Sequence, residues 1–408
     1  MPRDHPDRPG AGQPTRPTVI AATASRLAIP LRQPFVTATG AWSGRDTWLL
    51  RLVDATGRAG YGEACLDPAA DPSDLERLAG LIRVAIPALV KPGGAAGWLA
   101  RAPGVSPDDA VESAVVAAVA SAVIDLGGAG TEVGHGAMDP APDGRTSRAR
   151  AVPVNATVGV EDPAGSVAAA LEAVRAGFTT IKLKGGREAS SRDLVERLAA
   201  VRRAVGPEIE LRLDVNGAWD PSTALDRLTA LADLGLAYVE QPIPPGDPEV
   251  LASLRAGAPV AIAADESVTS GRAARALLAA GAADVLVVKP GRVGGAAMAA
   301  AIVRDAARAG VPVVISTLLE TGVGLAAALR VAAAATEASA GGTGTGEEGR
   351  PSPAHGLATA DLLVDDLLVE PLRIASGWMA IPSGPGLGVV VDPAAVDRWT
   401  LERVEAGR

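Results

Sequence analysis

The chain has a single cysteine, Cys65, in 408 residues. One thiol excludes an intramolecular disulfide and gives no framework for zinc, so Cys65 reads as a small buried apolar residue. Aromatics make up only 2% of the chain, and the core must be built from Ala, Val and Leu. The three histidines, His5, His135 and His355, stand isolated in stretches that read as loops, which argues against a histidine base. The net charge is −9, and no basic stripe interleaved with aromatics occurs, so no nucleic-acid partner is expected. No apolar run is long and unbroken enough to read as a bilayer span. Met1–Pro17 lacks the apolar core of a signal peptide and reads as a disordered tail. The expectation is a cytoplasmic protein without a membrane or nucleic-acid partner. A P-loop, a Ser/His/Asp set and a dinucleotide fingerprint are also missing; Gly291–Gly295 lacks the required glycine spacing.

What the chain does have is a series of polar signals, each closing a short apolar run. They are Lys182-Leu183-Lys184, Asp214-Val215-Asn216, Glu240-Gln241-Pro242, Asp265-Glu266-Ser267 and Lys289-Pro290. They recur at roughly 25–30 residues with a helix-like segment after each, the pace of βα units whose parallel strands need long crossovers. The fold class is α/β. The pattern predicts a modified (β/α)7β barrel over 151–375 with a loop insertion at 338–353. Before it come a tail at 1–17, an α+β capping domain at 18–130 and a connector at 131–150. Residues 376–408 are expected to return to the capping domain, which the segment Gly377–Asp392 would complete. The last barrel strand is expected near Gly356–Thr359. Between the first two strands, Gln33–Arg45 carries two glycines, small polar residues and Trp42. It suits either a mobile loop over a site or an ordinary hairpin connection.

In a βα barrel, strand ends meet at one face. Lys182 and Lys184 are two apart on one strand and point to the same side. Two buried ammonium groups disfavour each other's charge, so at least one lysine is expected to have a lowered pKa and serve as a base. Asp214, Glu240 and Asp265 end three successive strands. Three converging carboxylates repel unless a cation holds them, and an all-oxygen set favours a hard ion, Mg²⁺ or else Mn²⁺. Such a site suits a small anionic carboxylate substrate. Lys289, from the opposite side of the barrel, is either a second base or a fixed cation. Asn216, Glu266, Arg292 and Ser316 are candidates for supporting or substrate-contacting roles. Glu320, after the seventh strand, either bonds Lys289 or substrate or acts as a helix N-terminal acid.

Taken together, Lys-x-Lys, Asp-x-Asn, Glu-Gln-Pro, Asp-Glu-Ser and Lys-Pro, in this order, resemble the enolase superfamily, muconate-lactonizing subgroup. The resemblance runs from about Thr18 to Asp392. Members of that superfamily use a Lys or His base with Mg²⁺ stabilising an ene-diolate, and that chemistry comes with the resemblance. It implies Asp214, Glu240 and Asp265 as Mg²⁺ ligands, Lys184 and Lys289 flanking the substrate α-carbon, and Lys182 tuning Lys184. Ile262–Ser267 and the segment from His355 to Leu363 are most similar to the o-succinylbenzoate synthases. That implies Mg²⁺-dependent dehydration of 2-succinyl-6-hydroxy-2,4-cyclohexadiene-1-carboxylate in menaquinone biosynthesis. Lys289-Pro-Gly-Arg292-Val-Gly-Gly resembles the branch that also holds N-succinylamino acid racemases. The Asp-x-Asp of dipeptide epimerases is absent from Ala358-Thr359-Ala360-Asp361, and a non-catalytic barrel would be expected to have lost part of the set.

Overall fold

The computed structural model describes residues 18–38, 40–102, 109–127, 151–159, 162–340 and 353–407. The expected tail, the connector at 131–150 and residues 341–352 of the expected insertion lie outside them.

The chain opens with β1 (Val19–Thr37), β2 (Gly40–Asp54) and β3 (Ala59–Ala64) in an antiparallel sheet. Helices α1 (Pro72–Leu89) and α3 (Ala110–Gly127) pack on it, with α2 (Gly94–Arg101) beside them. Asp109 caps α3, its Oδ1 accepting the Val111 and Glu112 amides at 2.9 and 3.0 Å. That satisfies two of the donors a helix start leaves unpaired. Helix α3 is long and apolar enough by length and composition to cross a membrane. Here it is sandwiched instead, covered by β2 and β3 on one side and by barrel helices on the other. Gly60 and Gly62 allow the close approach: a Cβ on Gly62 would lie 2.0 Å from the Ala118 carbonyl oxygen.

The barrel enters through β4 (Ala151–Pro153) and β5 (Ala156–Val158). It continues through α4 (Pro163–Arg175), β6 (Thr180–Lys184), α5 (Ser191–Val205), β7 (Glu210–Asp214), α6 (Pro221–Ala230) and β8 (Leu236–Glu240). The remaining units are α7 (Pro248–Gly257), β9 (Ile262–Ala264), α8 (Gly271–Ala280), β10 (Val285–Val288), α9 (Pro290–Val293), α10 (Ala296–Arg308), β11 (Val313–Ile315) and α11 (Gly322–Ala340). Strands β5 to β11 are parallel neighbours in chain order. His355 and Gly356 then bridge to Val154 and Ser316 and close the ring at the eighth position. The helix starts share a local code. Asp162, Asp220 and Asp247 each precede a proline and accept a backbone amide of the first turn, because Pro tolerates the N1 site and Asp fills an orphan donor.

The chain returns to the first domain in stages, Leu387 N donating to Asp125 Oδ1 of α3 at 2.8 Å before a last strand joins the sheet. Strand β12 (Ile374–Ala375) pairs with β13 (Trp378–Ala380), and β13 pairs with β4 at the barrel entrance. After α12 (Pro393–Trp399), β14 (Thr400–Gly407) adds antiparallel to β1. A Gly- and Pro-rich stretch runs between them, and β14 itself alternates half-buried and exposed residues. Gln33–Arg45 is also no open loop. The ladder pairs Phe35 with Trp42, Val36 with Ala41 and Thr37 with Gly40, so β1 and β2 extend as one long hairpin.

Candidate active site

Alternation along the parallel strands sorts the residues. Tyr238, Ala263, Val287 and Val314 form an apolar cluster on the barrel floor. Two residues further along, at or just past the strand ends, come Glu240, Asp265, Lys289 and Ser316. Lys184, Asp214 and Glu240 lie level on adjoining strands. A cavity of about 610 Å³ opens at this face, and Lys182, Lys184, Asp214, Asn216, Glu266, Lys289 and Ser316 line it. The hairpin supplies its roof with Phe35, Val36 and Trp42.

The buried charges are tightly paired. Lys182 Nζ donates to Asp214 Oδ2 and Glu240 Oε1, both at 2.9 Å. Lys184 Nζ donates to the same Asp214 oxygen at 2.6 Å and to Asn216 Oδ1 at 3.2 Å. Lys289 Nζ donates to Asp265 Oδ2 at 2.7 Å. Arg292 holds the other Asp265 oxygen at 2.8 Å and reaches Asp67 of the capping domain at 3.0 Å. Gln241 aligns the next strand end, its Oε1 accepting the Asp265 and Ser267 amides at 3.0 Å. Asn216 and Gln241 adopt positive φ of 47° and 42°, the strained backbone that collects where a site must be shaped.

The expected lowering of a lysine pKa in the Lys182/Lys184 pair is not met at Lys182. Burial disfavours the Lys182 ammonium, but Asp214 and Glu240 outweigh it and hold its pKa well above the ordinary lysine value. For Lys289, burial and Arg292 oppose the charge, while Asp265 and Glu266 prevail and raise it. The expectation counted lysine against lysine and left out the carboxylates between them. Burial would raise Asp214, yet Lys182 and Lys184 hold it far below the carboxylate range. Glu240 shares only Lys182 and goes the other way, pushed up by burial and by the Asp214 charge. Both partners of the Lys182–Glu240 contact are thus raised, Glu240 by burial and the Asp214 charge, Lys182 by the two carboxylates that outweigh its burial.

Each carboxylate faces a side-chain cation, and among the described residues no three acidic, histidine or cysteine side chains gather closely enough to enclose an ion. The donor chemistry nonetheless fits one. Asp214 and Glu240 already converge on a single cationic atom. Glu240 is short of positive charge, and Glu266 Oε2 is buried with no hydrogen-bond partner. All these donors are hard oxygens, the set that suits Mg²⁺.

The other expected residues divide. Asn216 donates to Glu266 Oε1 at 3.0 Å. Ser316 borders the cavity and donates to the Gly356 carbonyl at 3.2 Å. Arg292 is outside the lining and acts on Asp265. Glu320 turns away from Lys289 to the Leu318 amide and is buried against the capping domain. His355, expected in a loop, is buried in the ring closure. Its Nδ1 accepts the Ile315 amide at 3.0 Å and its Nε2 meets Thr336 Oγ1 at 3.1 Å. Sequence reading missed Asp67, Thr157, Thr317 and Thr359, which also line the cavity.

Comparison with known proteins gives the site its context. Residues 166–395 match the family model described as Enolase C-terminal domain-like. The chain is 29% identical to muconate cycloisomerase 1 of Rhodococcus opacus over 94% of this chain and 98% of that protein. It is 40% identical to an o-succinylbenzoate synthase of Thermobifida fusca over 56% of this chain and 66% of that protein. The muconate lactonizing enzyme of Pseudomonas fluorescens, solved with muconolactone, superposes with a TM-score of 0.78 at 23% identity, covering 94% of this chain and all of that one.

Proposed function

The chain belongs to the enolase superfamily, and from that premise we propose that it removes a proton α to a carboxylate to dehydrate 2-succinyl-6-hydroxy-2,4-cyclohexadiene-1-carboxylate to o-succinylbenzoate. The observation that carries this is the placement of Lys184 and Lys289. They stand on β6 and directly after β10, four positions apart in a ring of eight, and both line one cavity that Asp214 and Glu266 also border. The 40% identity to an o-succinylbenzoate synthase favours this substrate.

Lys184 takes the α-proton; the C–H electron pair becomes the new ring double bond as the C–O bond breaks. The same lysine returns the proton to the departing hydroxide, so water leaves and the ring is aromatic. Lys289 stays an ammonium facing the developing negative charge and the ring π-face. Lys182 is fixed between Asp214 and Glu240 at 2.9 Å from each. Asp214, Glu240 and Asp265 would hold Mg²⁺, which when bound supplies positive charge to the substrate carboxylate and relieves Lys184 of neutralising Asp214. Arg292 fixes Asp265, and the roof of Phe35 and Trp42 keeps water from the reacting carbon.

The facing lysines also support a second reading, racemisation of N-succinylamino acids, which needs a proton donor on each face. Lys184→Ala is expected to lose dehydration by several orders of magnitude. Lys289→Arg keeps the cation and should retain more dehydration than Lys289→Ala. For racemisation both Lys289 variants should be equally inactive, since Arg is no base near neutral pH. The assay follows o-succinylbenzoate formation beside deuterium uptake from D₂O into each enantiomer of an N-succinylamino acid. Exchange into both enantiomers without dehydration by the unsubstituted chain would overturn the synthase reading for the racemase. The whole-length likeness to a cycloisomerase makes cis,cis-muconate the third substrate to run.

A further inference from the structure

Strand β3 carries Gly60-Tyr61-Gly62-Glu63. Its two faces do different work. The glycine face lets α3 approach, and the opposite face sends the Glu63 carboxylate across to the barrel. That carboxylate is buried and meets five donor contacts. Oε1 accepts Thr47 Oγ1 at 2.9 Å and the Thr321 amide at 3.1 Å. Oε2 accepts the Thr321 amide at 3.1 Å, Thr321 Oγ1 at 2.7 Å and the Gly324 amide at 3.0 Å. All but Thr47 belong to the start of α11, beyond the domain divide. Gly324 has no room for a side chain, since a Cβ there would lie 2.5 Å from Glu320 Cβ and 3.1 Å from Glu63 Oε2.

The segment so gripped leads straight into the cavity wall. Ser316, Thr317, Leu318 and Leu319 line the cavity, and Thr321 follows two residues later. Leu319 has φ of 62°, a conformation that a branched side chain keeps only where the surroundings over-determine it. Beneath it, Cys65 Sγ of the capping domain contacts the Leu318 carbonyl at 3.8 Å. The wall is therefore held from the capping side and not by the barrel alone.

We propose that Glu63 is the positioning residue for the wall Ser316–Leu319, and through it sets how a substrate lies between Lys184 and Lys289. The substrate part rests on the function proposed above. Glu63 touches no reacting atom. It fixes a wall that decides which carbon is presented to which lysine, so its loss changes selectivity and not merely stability.

The test uses the full chain with Glu63→Gln and Glu63→Ala. Gln keeps one acceptor and turns an NH₂ toward amide donors, so it is the milder variant and serves if the alanine chain does not fold. Amide hydrogen exchange over 316–326 should speed up in Glu63→Gln while β6 to β8 keep their protection. With both chains folded at the assay temperature, kcat/KM for dehydration should fall about tenfold or more, as a small displacement of substrate does. The ratio of dehydration to N-succinylamino acid racemisation should shift several-fold, and the limbs of the pH–rate profile should stay in place because the lysines are intact. Unchanged exchange over 316–326 overturns the proposal. So does faster exchange with both activities unchanged or reduced by one common factor, which marks Glu63 as structural only. Should the unsubstituted chain turn over neither compound, the proposed function fails, and exchange over 316–320 then decides the wall on its own.

Discussion

At the scale of single residues, the site is a balance of buried charge, and Glu240 is its most exposed weakness. It shares one ammonium with Asp214, and burial pushes its pKa up. Glu240→Gln keeps the shape and removes the charge, so Mg²⁺ affinity should fall sharply; calorimetric titration of the chelator-stripped protein measures it. Activity that persists in thoroughly metal-free protein would remove the electrostatic case for a bound ion. His355 supplies a second prediction. Burial and then Arg212 lower its pKa from the ordinary 6.5 to about 3. Between those values the unfolded chain binds a proton that the native one refuses, so stability is lost as pH falls from 6.5 toward 3. At about 1.4 kcal/mol per unit, the loss amounts to a few kcal/mol. A denaturant midpoint flat across that range would contradict it. The lysines and acids were legible in the sequence because each ends an apolar run at a regular interval. His355 was not, because an isolated pair of bridges leaves no strand-length pattern, and Asp67 was not, because it stands in an irregular stretch.

At the scale of elements, local code and tertiary pairing part company. The barrel strands and helices follow the expected order, since period-2 and period-3.6 patterns alternate cleanly there and Asp-Pro marks several helix starts. Polar turn-like residues leave two readings open, loop or hairpin, where only the ladder decides. Gln33–Arg45 looks like a loop, yet cross-strand pairs carry it to its tip. A short helix, α2, was missed because its Gly-Ala-Ala-Gly start has low helix propensity. The hairpin tip covers the cavity, which gives a third prediction. Gly40→Pro deletes an amide of the tip and places a Cβ 2.9 Å from the Trp42 ring. The roof should open, so KM should rise and kcat fall, while the melting temperature changes little because the tip is only partly buried. Steady-state kinetics beside a thermal melt read both; unchanged kinetics in a folded variant would show that the roof does not shape the site.

At the scale of the whole molecule, two bodies share one site. The capping sheet provides Phe35, Trp42 and Asp67 to the cavity, and Arg292 of the barrel reaches back to Asp67. The sheet itself depends on the chain's last segment. Strand β14 forms its outer edge against β1 over Ala21–Leu27, and Arg83 of α1 pairs with Glu402 at 2.7 Å. Removing residues 400–407 therefore strips a strand from the sheet that holds the hairpin, while every barrel strand and every lysine stays. The loss uncovers the edge of β1, next to the buried Ala22 and Ala24. Such a truncated chain is expected to keep the helical circular dichroism of the barrel and to melt several degrees lower, each kcal/mol lost costing about 2–4 °C in a domain of this size. Its catalysis should fall far more than its stability, because the roof loses its support before the barrel does. Magnesium titration separates the two bodies: the ion's affinity should survive the truncation, since Asp214, Glu240 and Asp265 all stand on barrel strands or their ends. Loss of metal affinity and barrel dichroism together would mean that the barrel cannot hold its own site without the sheet.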